Sequence, residues 1–328
     1  MRPEVLVEIK NLVINFYTYR GIVKAINGVS LQIKKGEFFG LVGETGCGKS
    51  VTASAILNLV QNPGKIERGE ILFKGKDILG MNENEIRDTI RGKEITMIMQ
   101  HPVAALNPVI KNGDQIAEAL SKKMSEGAAK KKAVELLKEV RIPEPEKVAN
   151  QYPHQLSGGM AQRVMIAMML STEPSLLIAD EPTTALDVSI QAQVLLLLKD
   201  LIKKHKASVL LITHDLSVVA ETCDRVGVMY AGDMVEVGEV DQIIDSPKHP
   251  YTKGLMRAIP SDYTKELVGI KGGVPDLVNP PSGCRFHPRC DQMRNICKGK
   301  KPKTTPVETN HTVACFLYEE ESERDSKA

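Results

Sequence analysis

Gly43-Glu44-Thr45-Gly46-Cys47-Gly48-Lys49-Ser50 follows the apolar run Phe38-Phe39-Gly40-Leu41-Val42 and opens a helical pattern from Lys49 to about Leu59. Strand, glycine turn, Lys-Ser and helix in that order make a phosphate-binding loop. Its glycines let successive backbone N–H groups converge on phosphate oxygens, and the helix start adds partial positive charge. The expected nucleotide-binding set here is Gly43, Glu44, Thr45, Gly46, Cys47, Gly48, Lys49, Ser50 and Val51. Lys49 is expected to reach the β- and γ-phosphates, and the Ser50 hydroxyl to coordinate Mg²⁺. Cys47 reads as a small residue whose backbone carries the role, with a regulatory thiol as the alternative reading.

Working outward, Ser175 to Ala179 and Ser208 to Thr213 are near-continuous apolar runs, the pattern of strands inside a parallel sheet. The first, Leu176-Leu177-Ile178-Ala179-Asp180-Glu181-Pro182, delivers two acids at its C-terminal edge, where ligands of open α/β sheets collect. Asp180 is expected in the magnesium shell and Glu181 as the base that polarises water. Residues 4–16 and 29–42 read as β-rich, residues 66–80 as a hairpin, and 94–100 as a short buried strand. Residues 112–139 and 157–170 show helical spacing, which points to a helical insertion into an α/β core.

Leu156-Ser157-Gly158-Gly159-Met160-Ala161-Gln162-Arg163 is a second anion site. Ser157 is placed as an N-cap, and two glycines expose amides where the apolar helix to Leu170 begins. With LLIADEPTTALD some twenty residues later, the chain here resembles the ATP-binding cassette (ABC) family. The resemblance implies an α/β fold, a P-loop NTPase (RecA-like) core with a β-rich N-terminal subdomain and a helical insertion over about residues 103–165, the whole cassette spanning 1–245. It also implies that two subunits pair head to tail, ATP being closed between the phosphate loop of one and Ser157, Gly158, Gly159 and Gln162 of the other. Gln100 then corresponds to the loop glutamine that touches Mg²⁺ and the attacking water, and His214 to the switch histidine at the γ-phosphate. Asp187 corresponds to the loop aspartate that communicates across the dimer. Tyr19 is the expected adenine-stacking aromatic, with Tyr17 and Phe16 as rivals because the register of FYTYRG is loose. Glu181, His214, Gln100 and Lys49 make a hydrolysis-competent catalytic set.

After about Ser246 prolines accumulate and long periodic segments end, which marks a boundary and an extension over 246–328. Ser246-Pro247-Lys248-His249-Pro250-Tyr251-Thr252-Lys253-Gly254-Leu255 and Pro281-Ser282-Gly283-Cys284-Arg285-Phe286-His287-Pro288-Arg289-Cys290 resemble the extension of dipeptide and oligopeptide importer ATPases. That resemblance implies a second, related ATPase subunit, forming a heterodimer in the full transporter or a homodimer alone. It further implies two integral-membrane permease subunits and an extracytoplasmic peptide-binding protein. Nickel and glutathione importers share the architecture, so the solute stays open, and an iron–sulfur assembly ATPase is the non-transport alternative. A DNA-repair cassette would need a long coiled coil between Gly48 and Gln162, where only 113 residues lie without sustained heptads.

Four of six cysteines, Cys284, Cys290, Cys297 and Cys315, fall in this extension. In a cytosolic chain such clustering favours a metal over disulfides. The gaps, C-x5-C-x6-C-x17-C, are wider than the tight pairs of structural zinc sites, and a 4Fe–4S cluster can be reached from loosely spaced loops. The family resemblance tips the expectation to 4Fe–4S over Zn²⁺. Arg285, Arg289, Arg294 and Lys298 are expected to offset thiolate charge, with His287 and His311 outside the ligand set.

Composition agrees with this reading. Forty-three Lys plus Arg against 41 Asp plus Glu give a net charge of +2 over 328 residues, too little for a phosphate-backbone footprint. No Trp and 4% aromatics offer no base-stacking platform, so no nucleic-acid partner is expected. The longest apolar runs, such as Val194 to Leu198, fall far short of a membrane span. The N-terminal MRPEVLVEIK lacks the pattern of a secretory leader. The expected location is peripheral, on the cytoplasmic face of the cell membrane. The tail EEESERDSKA is expected to be frayed.

Overall fold

The structure is a computed structural model that describes residues 4–100, 105–121, 123–183, 187–258 and 269–319. The first residues of the expected insertion and most of the acidic tail lie outside the described residues. Strands run in chain order as β1 (Val5–Thr18), β2 (Gly21–Lys34), β3 (Phe38–Val42), β4 (Gly64–Phe73), β5 (Lys76–Asp77) and β6 (Ile95–Ile98). They continue as β7 (Leu176–Asp180), β8 (Ser208–Thr213), β9 (Arg225–Tyr230), β10 (Asp233–Glu239), β11 (Thr304–Glu308) and β12 (His311–Ala314). The chain divides into two compact units, one of residues 1–34, 39–80 and 213–328, the other of 35–38 and 81–212.

In the first unit, β2, β1, β4 and β5 form an antiparallel sheet in that order. Its alternating apolar positions, Val7, Ile9, Leu12 and Ile14 on β1, are all buried. The β-rich stretch over 29–42 holds the end of β2 and all of β3, separated by a turn at Gly36, whose φ is 73°. Strand β3 is buried at every position and pairs in parallel with β9. Strands β9, β10, β12 and β11 continue antiparallel from it. The extension, expected to be loop-rich, contributes two strands: β12 joins the sheet through Glu236↔Val313 and Val237↔Thr312, and β11 pairs with it. The strand pair β9–β10 was not expected, since Arg225–Glu239 interleaves apolar residues with glycines and charges that carry no clean period.

In the second unit, β6, β7 and β8 pair in parallel, and every residue of β7 and β8 is buried. The helical segment contains Asn112–Leu120, Glu126–Glu139, Pro145–Ala149 and Gly158–Leu170. The helix Val188–His205 follows and ends at Lys206, whose φ of 53° is the left-handed stop of a helix C-terminus.

Candidate functional site

The loop after β3 is built as the sequence dictates. The first helix, α1 (Lys49–Ile56), starts directly behind Gly48 and stops short of Leu59, because Asn58 turns left-handed with φ 50°. Gly43 and Gly48 are obligatory: their φ values are 150° and 104°, and an added Cβ would stand 2.2 Å from the Met229 carbonyl oxygen and 2.6 Å from Ile26 Cδ1. The Lys49 ammonium is buried inside the loop it serves, donating to the carbonyls of Gly43 (2.7 Å) and Glu44 (3.1 Å). Cys47 is fully buried, and burial pushes its thiol up, which fits a backbone role: its carbonyl accepts from Gly232 N–H at 2.9 Å.

Tyr19 stands 91% exposed at the β1–β2 turn, its hydroxyl accepting from Arg20 Nε at 2.8 Å. Tyr17 is committed elsewhere, donating to Glu67 at 2.7 Å with Lys65 over its ring. Phe16 lines a cavity of about 190 Å³ with Ser50, Val51 and Leu59. His214 is exposed directly after β8, and the next residue, Asp215, caps the helix Leu216–Thr222 by accepting from Ser217 and Val218 N–H.

In the second unit, Asp180 ends β7 as a buried carboxylate. Glu181 follows with a φ of 46°, sparsely populated backbone for a non-glycine residue, and its N–H donates to the Ile212 carbonyl at 2.9 Å. Gln100 Nε2 donates to the Glu181 carboxylate at 2.9 Å, so two residues 81 positions apart meet as one group. Ser157 caps the helix Gly158–Leu170, its hydroxyl accepting from Met160 N–H at 3.4 Å. Gly158 itself is the first helical residue, two positions before the expected start. Gln162 lies one turn inside, fully buried, with neither carboxamide atom hydrogen-bonded. Asp187 is exposed at the start of the Val188–His205 helix.

The four extension cysteines line one cavity together with Phe286 and Phe316. Burial pushes the Cys284 thiol up to about 12 and the Cys315 thiol up to about 11, and raises Cys290 as well. Among the described residues, no group of three His, Cys, Asp or Glu side chains is placed to hold a metal ion. Two of the four cations expected beside the thiolates serve elsewhere. Arg289 pairs with Glu44, and Arg285 donates to the carbonyls of Lys24 and Ala231 beside Asp233. Their guanidinium forks find carboxylate and carbonyl oxygens that a neutral thiol cannot match. His311 is fully buried against Glu236, at 2.8 Å. The Arg289–Glu44 pair was missed because nothing in spacing signals a contact across 245 positions.

A phosphate loop and a separate glycine-started helix in one chain are the working surfaces of ABC ATPases, and comparison with known proteins agrees. The ABC transporter family matches residues 26–184, and the oligopeptide/dipeptide transporter C-terminal region matches 235–297. The oligopeptide transport ATP-binding protein OppD of Bacillus subtilis (strain 168) is 53% identical over 318 residues, 95% of this chain and 88% of that protein. The dipeptide transport ATP-binding protein DppD of the same organism is 50% identical over 325 residues, 98% and 97% of the two chains. Among solved structures, the dimeric post-hydrolysis state of the ATP-binding cassette MJ0796 bound to ADP and Pi superposes with a TM-score of 0.64 at 29% identity, over 72% of this chain and 99% of that one.

The chain belongs to the ABC transporter ATP-binding proteins of the oligopeptide/dipeptide family. It is a transport ATPase with a P-loop NTPase fold of mixed α/β sheets. No helix among the described residues is long and apolar enough to cross a membrane.

Proposed function

We propose that this chain hydrolyses ATP to drive import of dipeptides or oligopeptides, as a peripheral subunit on the cytoplasmic face of the cell membrane. Its partners in this reading are a second, related ATPase subunit and two permease subunits, fed by an extracytoplasmic peptide-binding protein. The observation that carries it is that about 50% identity to peptide-transport ATP-binding proteins runs through cassette and extension alike. The domain division proposed is a cassette over 1–245, its helical part about 103–165 carrying the permease contact, and an extension over 246–328.

Residue roles follow the chemistry of each side chain. Tyr19 stacks on adenine. Residues Gly43 to Val51 cradle the phosphates, and the Lys49 ammonium exchanges the Gly43 and Glu44 carbonyls for phosphate oxygens. The Ser50 hydroxyl, the Asp180 carboxylate and the Gln100 carboxamide are hard oxygen donors that fit Mg²⁺. That ion, when bound, neutralises charge on the β- and γ-phosphates. Glu181 takes the proton of the attacking water, Gln100 orients that carboxylate, and His214 holds the γ-phosphate. Ser157, Gly158 and Gly159 present amides to the nucleotide of the partner subunit, Gln162 packs beneath them, and Asp187 meets the partner.

For the cysteines we favour a 4Fe–4S cluster over Zn²⁺. Four thiols lining one cavity are compatible with it, and the wide C-x5-C-x6-C-x17-C spacing with the family resemblance decides the preference. Held there, a cluster would staple a small domain that has little core of its own. Anaerobically purified protein should be brown with stoichiometric iron and sulfide; zinc without iron would overturn this.

Reconstitution tests the transport reading. With permeases and binding protein in liposomes, peptide should stimulate ATPase activity and accumulate inside. Stimulation by nickel or glutathione but not by peptide would replace the solute. Activity indifferent to the permeases would favour a non-transport ATPase.

A further inference from the structure

The extension grips the phosphate loop. Arg289 forms a two-bond pair with Glu44, Nη1 to Oε2 at 2.7 Å and Nη2 to Oε1 at 3.0 Å. The guanidinium is braced from its other side, where Nε donates to the Lys271 carbonyl at 2.9 Å and the Tyr230 ring lies 5.6 Å away. The Arg289 side chain is only 6% exposed. Glu44 is held by its backbone too, its N–H donating to the hydroxyl of Tyr251 at 3.0 Å. Tyr251 is fully buried and packs on Tyr230 and Phe286 with ring centroids 4.7 and 5.4 Å apart. One residue of the loop is thus fixed at its main chain and its side chain by residues from 251 and 289.

Two consequences follow for the loop. Glu44 lies next to Gly43, and the carbonyls of both accept from the Lys49 ammonium, so the Arg289 clamp sets the frame in which that ammonium sits. Glu44 is also an acid in an anion-binding loop. Without a counter-charge its carboxylate would repel an incoming triphosphate, and in partly desolvated surroundings that repulsion is screened less than in water. Arg289 neutralises it. A bidentate charge-assisted pair suits this task, because it fixes direction as well as charge.

We propose that Arg289 is a positioning residue for ATP binding: it acts through Glu44 to hold the phosphate loop in shape and to cancel the one negative charge inside it. The extension is thereby part of the ATP site. This rests on reading Gly43–Ser50 as the phosphate loop, and the controls separate the two claims.

The test uses the full chain, with steady-state ATPase kinetics in Mg-ATP and melting temperature measured on each variant. Arg289→Gln should raise the KM for ATP about tenfold, the loss expected for a hydrogen-bonded charge pair, with kcat within about twofold. Glu44→Gln combined with Arg289→Gln removes the uncompensated acid and should lower KM at least about threefold below that of Arg289→Gln alone. Arg289→Lys, which keeps the charge but loses the fork, should fall between, and it replaces Arg289→Gln if that variant does not fold. A KM within twofold of the parent in Arg289→Gln, even with a lowered melting temperature, would overturn the proposal and leave the pair as a staple between segments. Lys49→Ala should abolish ATP binding. If it did not, the reading of the phosphate loop itself would fail, whatever Arg289 does.

Discussion

The carboxamide of Gln100 donates to the carboxylate of Glu181 across 2.9 Å, joining the second residue after β6 to the residue after β7. The donated hydrogen bond fixes the orientation of the carboxylate, and Glu181 is held besides at a φ of 46°. Both constraints suit a base that must face a water molecule. Glu181→Gln should therefore lower steady-state ATPase activity by about 10²-fold or more, in the range for a lost general base, with nucleotide affinity retained. Phosphate-release kinetics beside equilibrium nucleotide binding check this, and hydrolysis at the parent rate would remove Glu181 from the role.

How much of this could be read beforehand depended on whether the signal was local. The phosphate loop, the buried strand ending in Asp180-Glu181 and the Ser157 cap are each set by a few consecutive residues, and each stands where its pattern puts it. Ser208–Thr213 matches β8 residue for residue, since an all-apolar run with polar ends leaves no other register. What could not be read was non-local. Strand β10 carries Glu236, a buried carboxylate satisfied by His311, Lys248 and His249, and a buried acid inside a strand breaks the apolar pattern that reveals strands. Arg285 and Arg289 had visible partners in the neighbouring cysteines, while their observed partners, Asp233 and Glu44, are far away in the chain.

The choice among the aromatics before β2 is now a matter of exposure and prior commitment. Tyr19 offers an almost fully exposed ring, whereas Tyr17 is tied to Glu67 and Lys65. Stacking on a base contributes about 1–3 kcal/mol, so Tyr19→Ala should raise the KM for ATP about tenfold or more. Tyr19→Phe should stay near the parent, and Tyr17→Ala should move KM by less than about twofold. The opposite ranking would transfer the adenine contact to Tyr17.

Burial of the cysteine cavity sets how its thiols react. With Cys284 pushed up to about 12 and Cys315 up to about 11 by burial, almost none of either is thiolate at pH 8. Folded in the presence of a chelator, the protein should alkylate at these two positions at least about tenfold more slowly than after denaturation, as followed by mass spectrometry of the modified peptides. Equal rates would mean that the cavity opens when its thiols are free.

Stability against pH should report the buried His249. Burial lowers it from 6.5 to about 4, opposed by the nearby Glu236 carboxylate and assisted by Lys253. Its Nδ1 accepts from Tyr251 N–H at 3.0 Å, a bond that only an unprotonated nitrogen makes. In the unfolded chain the same ring takes a proton near its ordinary value, so between about pH 6.5 and 4 the unfolded state binds more protons. Folding stability from this residue is therefore complete above pH 6.5 and declines as pH falls through that window, by about 3 kcal/mol at most. Glu236 adds loss at the acid end: burial alone would raise its carboxyl, but hydrogen bonds from His311 and from the Lys248 and His249 N–H groups hold it below the usual range, and protonation forfeits them. His249→Asn keeps an oxygen that can accept from Tyr251 while removing the titration. Denaturant unfolding from pH 7 to 4.5 should show a flatter stability curve for this variant than for the parent. Parallel curves would mean that His249 is protonated in the folded chain and that its burial is less complete than the packing of Phe286 against it indicates.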